Sequence, residues 1–247
     1  MLDRVPAEAL TGAMLSSMLE KEGFVRLSAS DVLDRLGSDA RASWSSFAKS
    51  WEDLGPDRYM ADGGRYRRRR HAALRVVGSH VSQKPRQPHY QSRDYNPLNG
   101  DIERWFEPVD AATLASPILA SILDLCCPPF VRASGRADEQ AWHVEVHQFR
   151  IETSASETGQ PTPEGMHRDG VDWVFVMLVD RRNVREGVTR IGAIDGTPLG
   201  EFTLAAPGDA VLLDDHRIVH GVTPIRPIDP DRPAWRDALV VTWTAED

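Results

Sequence analysis

Cysteine is almost missing from this chain: of 247 residues only Cys126 and Cys127 carry thiols, and they are neighbours. Adjacent cysteines make a poor disulfide, and no CxxC pair is present to grip zinc or run thiol exchange. Both are read as small buried hydrophobes in a reducing compartment. No apolar run approaches the roughly 20 residues that span a bilayer, so no membrane partner is expected. Glu8, Glu20 and Glu22 flank a short, broken apolar stretch, which argues against a secretory leader and for a cytoplasmic location. Positive charge is in deficit, 29 Lys+Arg against 37 Asp+Glu for a net of −8, which counts against nucleic acid as a partner. The 41% hydrophobic share is that of an ordinary globular protein. A chain this long buries roughly 70% or more of its unfolded surface and needs no covalent staples.

What is present begins as helix. Leu10, Met14, Leu15, Met18 and Leu19 recur at three and four, and Gly23 is placed to close the segment. Phe24–Leu27 reads as a short strand, and Ser30 as the cap of a brief helix through Leu36. Trp44, Phe47, Ala48, Trp51 and Leu54 fall on one side of a further helix ending at Gly55-Pro56. Another is expected over 111–125, stopped by Pro128-Pro129. Beyond residue 140, strands are predicted at 142–151, 171–179, 188–194, 201–204, 210–213, 218–222 and 238–244, with Gly, Pro and Asp turns between them. The class is therefore α+β and mainly β, a sandwich or closed barrel with helices packed outside. No repeat or long linker divides the chain. A single domain over 1–247 is expected, with a helical extension at 1–60 and a β-rich part at 65–247 whose core is 140–245.

Five arginines crowd into 65–70, interrupted by Tyr66. On a strand Arg65, Arg67 and Arg69 face away from Arg68 and Arg70, so they form no single basic stripe. A solvated, salt-bridged strand is expected, with contact to a substrate anion as the alternative.

Three groups of residues compete for chemistry. His167 and Asp169, followed after 50 intervening residues by His220, supply two imidazoles and one carboxylate. That is the donor set of the facial triad of non-haem Fe(II), which leaves three positions free for a chelating co-substrate and dioxygen. His143, Glu145 and His147 share one face of a strand and offer either a zinc set or merely a polar face. His216 and His220 have the spacing of a helical zinc site, but the residues around them favour strand, which leaves Asp214 or Asp215 to hold a turn or accept a supporting hydrogen bond. Arg236, near the last strand, provides the fork that a dicarboxylate's distal carboxylate requires, and Thr242 falls on the same side six residues later.

The run 163–170 around His167, together with Asn183, Asp214-Asp215-His216, His220-Gly221-Val222-Thr223-Pro224 and Arg236-Asp237, resembles the 2-oxoglutarate- and Fe(II)-dependent dioxygenases. Within them it is most similar to the bacterial branch of the L-isoleucine hydroxylases and the biofilm-stress-and-motility protein homologues. The resemblance implies a double-stranded β-helix, a cupin-like jelly roll. It also implies Fe(II) held by His167, Asp169 and His220, and 2-oxoglutarate anchored by Arg236; Thr242, on the same side of the strand, is expected to join that co-substrate site. The implied reaction hydroxylates a small molecule, a free or modified amino acid, and releases succinate and CO2. Asp169 favours hydroxylation, because related halogenases lack a carboxylate there. Gln148 and Arg150 stand in a His-Gln-x-Arg element shared with the amino-acid hydroxylases, which implies that they line the substrate side. One departure is that Asn183 is followed by Val184-Arg185-Glu186 where relatives tend to show a Gly-Gly pair. A metal- and carboxylate-binding sensor without turnover and a zinc hydrolase remain the alternatives, and a homo-oligomer stays open.

Overall fold

The computed structural model describes residues 11–246, so Glu8 and Leu10 lie outside the described residues. Helix α1 (Gly12–Glu22) starts where the Thr11 hydroxyl accepts the Met14 N–H, and ends at Gly23 with φ +78°. Strand β1 (Phe24–Leu27) follows. Helix α2 (Ala29–Arg35) is capped by Ser28 rather than Ser30, because Ser28 and Asp31 form a reciprocal capping box. Helices α3 (Gly37–Ala42) and α4 (Trp44–Lys49) complete this layer. The longer helix expected through Leu54 gives way to a turn after Lys49. From that turn Trp51 is fully buried, and its indole N–H donates to the Phe149 carbonyl at 3.1 Å.

The β-rich part opens with β2 (Arg67–Val77), β3 (His80–Gln83) and the short β4 (Glu107–Pro108). The helix expected over 111–125 is two helices, α5 (Ala111–Leu114) and α6 (Pro117–Ala133), divided where Ser116 caps α6 and Pro117 starts it. Nor do Pro128 and Pro129 stop it. An interior proline costs about 3 kcal/mol, but α6 buries Ile118, Leu119, Ile122, Leu123, Cys126 and Phe130 against the sheet. At roughly 1.5–3 kcal/mol for each large apolar side chain, that face outweighs the lost ladder bonds.

The remaining strands are β5 (Ala141–Thr153), β6 (Trp173–Arg182), β7 (Val184–Glu186), β8 (Val188–Ala193) and β9 (Pro198–Thr203). They are followed by β10 (Ala210–Asp214), β11 (Ile218–Val222), β12 (Ile225–Pro227) and β13 (Ala234–Ala245). One large sheet runs β1-β10-β6-β13-β5-β2-β3, with β4 parallel to β2; β11-β8-β9 and β12-β7 form two smaller sheets. The result is a jelly roll of the double-stranded β-helix type with the helices against the large sheet.

Strand periodicity then sorts the side chains. On β5, Trp142, Val144 and Val146 join the helices in the main core, whereas His143, Glu145, His147, Phe149 and Ile151 face a cavity. On β13 the cavity side is Arg236, Ala238, Val240, Thr242 and Thr244. No described helix is long and apolar enough to cross a membrane.

Candidate active site

The cavity encloses about 410 Å³. His167 and His220 meet there because their backbones form an isolated antiparallel bridge: each N–H donates to the other's carbonyl at 2.9 Å. Their ring centroids are 4.6 Å apart. Asp169 reaches the same point, with Oδ2 3.2 Å from His220 Nε2 and Oδ1 3.8 Å from His167 Nε2. His167 Nδ1 lies 3.0 Å from the Gly165 carbonyl. A carbonyl can only accept, so Nδ1 holds the proton and the Nε2 lone pair is free for a cation. The turn carrying Asp169 is pinned by buried Asp215, whose carboxylate accepts the N–H groups of Asp169, Gly170 and Val171 at 2.9, 2.7 and 3.1 Å. Gly170 is required here: its φ is +79°, and a Cβ would sit 2.6 Å from the Tyr95 ring.

The electrostatics favour a cation. Burial alone would raise the Asp169 pKa, but the His220 hydrogen bond and the two neighbouring imidazoles hold it well below the usual carboxylate range. Burial pulls the other way on His220, yet the Asp169 carboxylate raises that imidazole above its ordinary value. Two imidazoles and one ionised carboxylate on one wall of a cavity fit a mononuclear non-haem iron centre. His216 is outside it, largely exposed and 2.7 Å from Asp172. Asp214 accepts the His216 N–H at 3.0 Å and holds that turn.

Arg236 lines the same cavity. It is buried, its Nε and Nη2 have no partner, and burial together with Arg181 pulls its pKa down to about 10. Thr242 also lines the cavity, but it pairs with Glu145 whereas Arg236 pairs with Ile151. Six residues of strand separate the two by about 20 Å, so they cannot share one carboxylate.

Gln148 and Arg150 do not reach the cavity. They occupy the opposite face of β5, where Gln148 donates to Ser50 Oγ at 2.8 Å. Arg150 forks onto Asp237 at 2.8 and 2.7 Å and stacks over Trp235. The arginine run also divides differently from expectation. Arg68 and Arg70 are half-buried and paired with Glu152 and Asp110, while Arg67 and Arg69 are buried and line the cavity. Arg67 Nε donates to Asp57 at 2.7 Å.

Sequence reasoning missed the loop 84–106. Gln91 donates to the Asp169 carbonyl at 3.0 Å and to its Oδ1 at 3.3 Å, while its own Oε1 accepts from Arg104 at 2.8 Å. Nothing periodic marks these positions. A second buried cluster was half seen. Glu145 and His147 gather His71 and His89, their ligand atoms lying within 4.8 Å of one another. His143 stays at the edge, 3.8 Å from Glu145.

The profile of the 2OG-Fe dioxygenase family matches residues 48–242. The 3(1)-hydroxy-L-isoleucine 4-dioxygenase of Pantoea ananatis is 25% identical over 159 residues, 63% of each chain. The L-isoleucine-4-hydroxylase of Bacillus thuringiensis is 21% identical over 159 residues, 64% of this chain and 66% of its own. The matched stretch is thus just under two thirds of either relative. A solved bsmA homologue from Methylobium petroleophilum is 34% identical with a TM-score of 0.87, covering 96% of this chain and 94% of that one. With a profile match across most of its length and a jelly roll holding a His/Asp/His cluster, the chain belongs to the 2OG-Fe dioxygenases, enzymes that use Fe(II) and 2-oxoglutarate.

Proposed function

We propose that this chain is a cytoplasmic, single-domain hydroxylase of a free or modified amino acid or a similar small metabolite. His167, Asp169 and His220 would hold the iron, and Arg236 would receive the distal carboxylate of 2-oxoglutarate. One observation carries the reading: a His/Asp/His cluster and a buried guanidinium without a partner open onto one cavity. The amino-acid class is supported by the isoleucine-derived names of the two enzymes similar in sequence.

When bound, Fe(II) with 2-oxoglutarate and dioxygen supplies the oxidative decarboxylation that yields succinate and CO2 and hydroxylates a substrate C–H bond. The chain's own residues do the rest. Asp169 stays ionised at neutral pH and supplies the anionic donor. His167 is oriented by its Nδ1–H on the Gly165 carbonyl. Arg236 offers a planar fork to a carboxylate, in a buried setting where such a pair is charge-assisted and little screened. Val176, Ala238 and Val240 line the cavity with apolar surface.

Anaerobically prepared Fe(II) protein given 2-oxoglutarate and oxygen should release succinate, faster with an amino acid from a panel of free and acylated forms. His167→Ala and His220→Ala should lose iron binding. Iron bound equally well by those variants would sink the assignment. Hydrolysis that persists without oxygen or 2-oxoglutarate would make the protein a zinc hydrolase, and ligand binding without oxygen consumption would make it a sensor.

A further inference from the structure

A second guanidinium in the same cavity is, like that of Arg236, buried with an unpartnered N–H. Arg104 is 1% exposed. Its Nη2 donates to a neutral acceptor, Gln91 Oε1, at 2.8 Å, and its Nε has no partner. Among the described residues no carboxylate oxygen comes within the 4.0 Å of an ion pair with it. A buried charge left unpaired is costly, so a guanidinium held in this way is built for an anion that arrives from outside.

Its surroundings point the same way. Arg67 and Arg69 line the cavity with it and keep N–H groups free, Nη2 and Nε respectively. Asp57, the carboxylate closest to both, is 2.7 Å from Arg67 but 4.0 Å from Arg69. Glu145 and Glu164 share the cavity and their charges act on Arg104, but neither comes within ion-pair distance of it: Glu145 is engaged by His71 and His89 at 3.1 and 2.8 Å, and Glu164 lies 3.5 Å from His167 Nε2. Arg104 reaches the cavity from the loop 84–106, whereas Arg236 stands on β13. Gln91 connects Arg104 to Asp169, which sets the free guanidinium beside the candidate metal centre.

Given the hydroxylase reading, we infer that Arg104, flanked by Arg67 and Arg69, forms a second anion subsite that takes the α-carboxylate of the amino-acid substrate, free or N-modified. Arg236 is left for the co-substrate. The guanidinium fork fixes the orientation of the carboxylate, and with it which carbon of the side chain faces the metal centre.

The test is calorimetric binding, without oxygen, to the full-length Fe(II)-loaded protein. The probes are the twenty L-amino acids, their N-acetyl forms and, for each that binds, the matching α-amide. At least one carboxylate probe should bind, its amide about 100-fold more weakly, and Arg104→Met should weaken the carboxylate by a similar factor. Arg104→Lys, which keeps the charge without the fork, should restore part of the loss and shows that the site still folds. Arg236→Met should instead weaken 2-oxoglutarate. The subsite is overturned if no probe binds wild type, if amide and acid bind alike, or if Arg104→Met leaves acid binding intact. It is equally overturned if Arg104→Met removes 2-oxoglutarate instead. Binding is read without turnover, so absent succinate release would sink the hydroxylase reading without touching this result.

Discussion

One cavity holds two clusters of histidine around a carboxylate, and they are built for opposite purposes. In the first, His167 places its Nδ1 proton on a carbonyl and keeps Nε2 as a lone pair. In the second, Arg69 Nη2 lies 2.8 Å from His147 Nδ1. A guanidinium only donates, so Nδ1 accepts and the His147 proton sits on Nε2, directed at Glu145 3.5 Å away. His71 and His89 likewise present N–H groups to Glu145. The second cluster is a carboxylate wrapped in donors beside a fixed cation, a poor place for another cation. A list of ligand types cannot separate the two; the group on the far side of the His167 ring and of the His147 ring does.

Deleting one imidazole from each cluster separates the two most clearly. His167→Ala or His220→Ala should reduce Fe(II) affinity by more than about 100-fold in an anaerobic titration, whereas His71→Ala should leave it within about threefold. Equal losses from both clusters would show that the second also holds metal.

Next in size is Glu145→Gln, which strips the charge that three imidazoles face. It should cost about 3 kcal/mol in urea denaturation, with iron affinity nearly unchanged. Asp215→Asn removes the anionic anchor of the Asp169 turn and should weaken iron about 10-fold with little change in the urea midpoint.

The smallest effect is in pH. Burial, aided by Arg69, lowers the pKa of His89 and His147, most strongly for His147, despite the opposing pull of Glu145. A base whose folded pKa is lowered binds fewer protons folded than unfolded. Stability should therefore fall as pH drops below about 6.5, by up to about 1.4 kcal/mol per pH unit for each histidine until its folded pKa is reached. His220 has the opposite sign: the stability it gains from Asp169 is present below about 6.5 and lost as pH rises through its elevated folded pKa. Replacing His147 with Asn should flatten the acid-side slope of denaturation midpoints, and an unchanged slope would refute the assignment.

Much of the site was legible because its donors obey short rules. His167 and Asp169 sit two apart next to a glycine, and Arg236 lies on a strand whose cavity side follows from alternation. Alternation could not check the substrate side that the His-Gln-x-Arg element implied: a period of two says that Gln148 and Glu145 face opposite ways, not which faces inward. The helices packed on Val144 and Val146 decide that, and they put Gln148 outside. The same ambiguity hid Arg67 and Arg69, since an arginine run in an acidic chain reads as surface until the opposing wall is known. Gln91 and Arg104 gave no sign, because a loop without periodicity acquires its role only from what it folds against. The prolines of α6 were misjudged for a related reason, as local cost is visible in sequence and the burial that exceeds it is not.

The backbone bridge between His167 and His220 also fixes when the centre can exist. It joins the segment before β6, a strand of the large sheet, to β11, a strand of a smaller one. Without that bridge the segment offers His167 and Asp169 alone, two donors of the three. The complete donor set is therefore a reporter of long-range closure: it exists only where these two parts of the chain are joined at the bridge.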